Sequence, residues 1–97
     1  MNKPVILEFL KDNKQELFDT YGVTKIALFG SFARDEATED SDIDIAIELR
    51  SDKKNIKNFF ALKRELEKNF GRSVDLGIES TLKPIVKEYI QKEIIYV

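Results

Sequence analysis

Residues 41–49 read SDIDIAIEL, and this alternation constrains the chain more than any other stretch. A period of two is the pattern of a β-strand with one buried face. Ile43, Ile45, Ile47 and Leu49 fall on one side, and Asp42 and Asp44 fall together on the other. At ~3.3 Å rise per residue, the two Asp Cα atoms lie about 6.5–7 Å apart. No Lys or Arg stands between them, so the carboxylates repel each other, and a divalent cation would relieve that repulsion. Oxygen ligands suit Mg²⁺ or Mn²⁺, and Mg²⁺ is commonly held by one or two carboxylates together with substrate phosphates.

A second feature lies upstream. Gly30-Ser31 follows directly on the apolar run Ile26-Ala27-Leu28-Phe29. A glycine lets the backbone turn sharply and approach a ligand, and a Gly-Ser turn opening a short helix over residues 32–36 is a place for phosphate groups. Ser31 suits a helix cap and a phosphate contact equally, and the two roles are compatible. Taken singly, an Asp-x-Asp is the wet face of a strand and a Gly-Ser is a turn. In order, strand, Gly-Ser, short helix, acidic loop and Asp-x-Asp strand serve one chemistry.

These residues carry a resemblance. Gly30-Ser31, Arg34 and Ser41-Asp42-Ile43-Asp44 resemble the signature of the DNA polymerase β-type nucleotidyltransferase superfamily, and within it the small stand-alone minimal nucleotidyltransferase (MNT) domain. The resemblance covers nearly the whole chain and implies a polymerase-β-like nucleotidyltransferase core. It further implies that Asp42, Asp44 and a third acid, Asp75, hold two Mg²⁺ ions, with Gly30 and Ser31 on the β- and γ-phosphates of ATP. Arg34 either binds a phosphate or balances the acidic loop beside it. Stand-alone domains of this kind act as antitoxins beside HEPN-type toxins and add AMP to a toxin tyrosine. The chain departs from the family at Phe32, where Arg or Tyr is common, and at Asp35, where Gly is common.

Composition narrows the alternatives. Ninety-seven residues, 42% of them hydrophobic, suit one domain spanning 1–97 with a small core. A net charge of −2 gives no electrostatic case for nucleic acid. With no Cys and no His, disulfides, thiolate catalysis and imidazole bases are excluded, so catalysis must rest on carboxylates and a hard cation. No apolar run is long enough to span a membrane and no signal peptide is apparent, so the expected location is cytoplasmic.

The remaining segments read as scaffold. Residues 3–21 form one amphipathic helix, and residues 23–29 form a central strand. After a polar turn, Ser51 or Asp52 caps a helix reaching Phe70, with Ile56, Phe59, Phe60, Leu62, Leu66 and Phe70 as its buried stripe. The lysines of that helix make either a solubilising surface or a contact for an acidic partner. Residues 73–78 form a third strand on which Asp75 faces away from Val74, Leu76 and Ile78. If that strand pairs beside residues 41–49, the three acids share one face, which Gly77 leaves open. A last helix starts at Ser80 or Thr81, with Leu82, Ile85, Val86, Tyr89 and Ile90 at i, i+3, i+4, i+7 and i+8. The apolar tail Ile94–Val97 adds an edge strand or meets a partner. The fold class expected is α/β (α+β), a mixed sheet of three or four strands with helices packed on it. Besides the antitoxin transferase, two functions remain open: a non-catalytic module that neutralises a partner by contact, and a small-molecule transferase completed by oligomerisation.

Overall fold

The computed structural model describes residues 1–97. Its elements run α1 (Lys3–Asp12), α2 (Lys14–Tyr21), β1 (Val23–Phe29), α3 (Gly30–Ala33), β2 (Ile43–Leu49), α4 (Ile56–Phe70), β3 (Val74–Ile78), α5 (Pro84–Ile90) and β4 (Ile95–Tyr96). The strands form one mixed sheet in the order β3-β2-β1-β4. β1 pairs antiparallel with β2 and with β4, whereas β2 and β3 run parallel. A parallel pair needs a crossover, and α4 supplies it.

The buried side of the sheet carries Ile26, Leu28, Ile43, Ile45, Ile47, Val74 and Leu76. They pack with Ile6, Leu10 and Leu17 of α1 and α2 and with Leu62, Leu66 and Phe70 of α4. The isoleucines of β2 are fully buried, as their alternation requires. This single-sided core leaves the opposite face of β2 and β3 free to present Asp44 and Asp75. Across it, Ala27 and Ala46 are also buried, and Ile90 of α5 is the buried residue of the last helix.

Several expected boundaries differ, each for a local reason. The first helix is two. Asn13 leaves helical geometry (φ −104°, ψ 8°), and its side-chain amide donates to the Phe9 carbonyl at 2.8 Å, competing with the backbone ladder. The helix at the Gly-Ser turn starts at Gly30 rather than Phe32, so Ser31 lies inside its first turn and does not cap it. That helix ends with Asp35 at φ 59°, the Glu36 amide donating to the Ser31 carbonyl at 2.9 Å. This is the left-handed closure that usually takes Gly.

α4 begins later than expected. Ser51–Lys53 form a 3₁₀ turn, and the cap is Asn55, whose Oδ1 accepts from the Asn58 amide at 2.9 Å. Of its expected stripe, Leu62, Leu66 and Phe70 are buried and Phe59 is half-buried, but Ile56 and Phe60 are 76% and 47% exposed. They flank an open groove that runs beside Leu76–Ile78 of the edge strand β3. The last helix also starts late. Lys83, preceding Pro84, is held extended (φ −62°, ψ 144°), and Glu79–Thr81 is a 3₁₀ turn. Ile85 and Tyr89 point outward, 75% and 77% exposed. The tail does form an edge strand, with Ile95 and Tyr96 opposite Leu28 and Ala27.

Candidate active site

The site is built where β1 ends and β2 and β3 begin. Register places Phe29 opposite Asp44, and Asp44 opposite Asp75. Residues paired across a sheet point to the same face, so Asp44 and Asp75 stand side by side. Asp42 precedes β2 by one residue and is exposed, as is Asp75, while Asp44 is half-buried.

Electrostatics bind these acids into one unit. The Asp44 carboxyl is pushed up from 3.8 to about 6, by burial first, then by the charge of Asp75, a hydrogen bond shared with Asp75, and the charge of Asp42. The Arg34 guanidinium opposes the rise. A half-buried acid crowded by two others is poised to exchange its proton for a cation. The donor set, oxygen only, fits a hard divalent ion. Asp44 and Asp75 stand as a pair, and the expected group of three acids in a metal-ligating arrangement is not found.

Gly30 makes the close approach possible. Its φ is +76°, and a Cβ there would lie 2.0 Å from Asp44 Oδ2. The turn and the acid are therefore fitted to each other, and glycine is demanded twice, by conformation and by space. The Gly30 amide donates to Glu93 Oε2 at 2.5 Å. Arg34 Nη1 donates to both oxygens of Glu93, at 3.0 and 2.9 Å, and Arg34 Nε donates to Glu36 Oε1 at 2.6 Å. Arg34 thus balances one residue of the acidic loop, Glu36, and also a residue of the tail. Asp35 turns away to Lys3 Nζ, 2.8 Å distant.

Two residues here were not singled out from the sequence. Arg72 donates from Nη1 to the carbonyls of Thr38, Glu39 and Ser41, at 3.2, 2.8 and 2.9 Å, and its guanidinium lies 5.3 Å over the Phe32 ring. It clips the loop that delivers Asp42. Its position between Gly71 and the third strand was the only hint. Glu93 is the other; an isolated acid in an apolar tail gives no sign of what it will touch. Gly77 does not leave the face open, because Leu82 Cδ2 lies 3.6 Å from where a Cβ would stand.

A mixed sheet that sets paired acids beside a glycine turn is the architecture of the nucleotidyltransferase class. The chain belongs to the nucleotidyltransferase domain family, whose family model matches residues 5–97. Over 96 residues it is 45% identical to a Methanocaldococcus jannaschii protein named "Putative protein adenylyltransferase MJ1379", covering 95% of this chain and 94% of that one. It is 38% identical over 92 residues to "Protein adenylyltransferase MntA" of Thermococcus cleftensis, covering 95% and 92%. A solved structure described as a "putative minimal nucleotidyltransferase" superposes with a TM-score of 0.79 at 30% identity, covering 98% and 95%. The fold also occurs, at a TM-score of 0.60 and 22% identity covering 98% and 67%, in a complex of tri-AMPylated Shewanella oneidensis HEPN toxin with MNT antitoxin. No helix is long and apolar enough to cross a membrane.

Proposed function

We propose that residues 1–97 act as one Mg²⁺-dependent protein adenylyltransferase, a cytoplasmic antitoxin that moves AMP from ATP to a tyrosine hydroxyl of a HEPN-type toxin. The observation that carries this reading is the pairing of Asp44 with Asp75 beside the Gly30 turn. Relatives over nearly the full length are named as adenylyltransferases of proteins, which supports a protein acceptor.

Asp42 and Asp44 would hold the cation that carries the triphosphate and share a second one, and Asp75 would complete the second position. Cations held there would supply charge neutralisation at the phosphates and would acidify the attacking hydroxyl. Gly30, Ser31 and Arg34 hold the β- and γ-phosphates. The acceptor oxygen bonds to the α-phosphorus, the bond from that phosphorus to the bridging oxygen breaks, and pyrophosphate leaves. The hydroxyl proton passes to a carboxylate, with Asp75, the more exposed of the pair, facing the acceptor.

The test is incubation with Mg²⁺, ATP labelled in its α-phosphate, and the cognate HEPN-type toxin. Label appears on the toxin with the unaltered chain and is absent with Asp42→Asn or Asp75→Asn. An unlabelled toxin that is nonetheless silenced refutes the transferase reading. Exposed Ile85 and Tyr89 favour a second reading, neutralisation by contact alone. Under it, silencing survives Asp44→Asn and fails in an Ile85→Ser, Tyr89→Ser double variant.

A further inference from the structure

The residues read as phosphate contacts are already engaged by an anion of the chain itself. Glu93 lies just beyond α5, in the short link to β4. Its carboxylate receives the Gly30 amide at 2.5 Å and the Arg34 guanidinium through both oxygens, at 2.9 and 3.0 Å. The side chain is 12% exposed. It is therefore a largely buried carboxylate that takes up the two donors a phosphate would need. A carboxylate and a phosphate oxygen make the same demands on a backbone amide and a guanidinium: negative charge and in-plane acceptors.

We propose that Glu93 is an internal stand-in for the nucleotide's phosphate, a latch that the incoming triphosphate must displace. The inference rests on the reading of Gly30 and Arg34 as phosphate contacts. Both anions cannot hold these donors at once, so loading ATP frees Glu93. The latch is anchored on both sides. Upstream, the Glu93 and Ile94 amides donate to the Ile90 carbonyl, each at 3.0 Å. Downstream, the Val97 amide donates to the Ile26 carbonyl at 3.0 Å. Freeing the side chain thus alters the segment that joins α5 to the sheet edge, so the tail reports whether the site is loaded. Meanwhile the closed latch keeps the Gly30 amide and Arg34 satisfied when no nucleotide is present. It also lowers the apparent affinity for ATP by the fraction of molecules that are open.

The experiment compares ATP binding by the full chain and by Glu93→Gln in Mg²⁺, by calorimetry, with carboxyl ¹³C and Gly30 amide NMR on the unaltered chain. Glutamine keeps the shape and removes the charge. The expected results are a Kd about tenfold lower in E93Q, and a Glu93 carboxyl signal that moves to its solvent-exposed position as ATP saturates the unaltered chain. If the unaltered chain binds ATP but E93Q binds it equally or more weakly, the latch is wrong and the phosphate site stands. Should E93Q fail to fold, the NMR titration decides alone: a Glu93 signal unmoved by saturating ATP overturns the latch. If neither chain binds ATP, the phosphate-site reading falls and the latch with it.

Discussion

Asp44→Asn should make this protein more stable while removing its transferase activity. The ionised Asp44 carboxylate is unfavourable in the folded chain, half-buried and crowded by Asp75 and Asp42. A rise from 3.8 to about 6 corresponds to about 3 kcal/mol at ~1.36 kcal/mol per pH unit. Because Asp44 is only half-buried, solvent screening reduces this to about 1–1.5 kcal/mol. The folded state holds the Asp44 proton more tightly than the unfolded state does. Stability therefore falls as pH rises from about 4 to about 6 and levels off above that. Asparagine cannot ionise, so the variant lacks this loss. At pH 7.5 its Tm should exceed that of the unaltered chain by roughly 5–10 °C, at ~4–8 °C per kcal/mol for a domain of this size. At pH 4 the gap should close. Added Mg²⁺ should raise the Tm of the unaltered chain at pH 7.5, by neutralising the same repulsion, and leave the variant nearly unmoved. Calorimetry at the two pH values, with and without Mg²⁺, checks all of this. A variant no more stable at pH 7.5, or a gap that persists at pH 4, would refute the account of Asp44 as a strained acid.

Three further outcomes follow from the geometry. Gly30→Ala should cost at least about 2 kcal/mol in urea unfolding, from the left-handed backbone together with a Cβ driven onto Asp44 Oδ2, and should abolish label transfer. Arg72→Ala should slow label transfer severalfold while lowering stability by only about 1–2 kcal/mol, because three loop carbonyls lose their donor; steady-state kinetics should place the loss in kcat, and an unchanged rate would show that the Asp42 loop needs no clip. Leu66→Ala, at a fully buried position, should destabilise by about 2–5 kcal/mol, with label transfer per folded molecule unchanged.

What could be read from the chain was whatever local periodicity encodes. The alternation in β2 and β3 assigned Asp42, Asp44 and Asp75 to the face opposite the isoleucines, and the helical spacing of apolar residues marked the helical segments but not their exact bounds. The Gly30 turn was legible only in combination, as a Gly-Ser that follows an apolar run and leads to an Asp-x-Asp strand. Less legible were features decided by competition between neighbours. Asn13 splits a helix because its amide reaches a carbonyl one turn back. Asn55 wins the cap over Ser51 and Asp52, which a 3₁₀ turn absorbs. Ile56, Phe60, Ile85 and Tyr89 fit helical stripes but end up outward, the first two on an open groove beside β3 and the others on a helix only two turns long. Arg72 and Glu93 act through contacts distant in sequence, which no pattern in a single chain announces.

The parallel alignment of β3 on β2 has a consequence for the chain during its own synthesis. Asp42 and Asp44 leave the ribosome early, yet their neighbour Asp75 arrives only after the whole of α4 has been made. Until that crossover docks, a nascent chain holds two solvated acids and no site. Competence therefore waits on the third strand, and a product truncated before it would be inert.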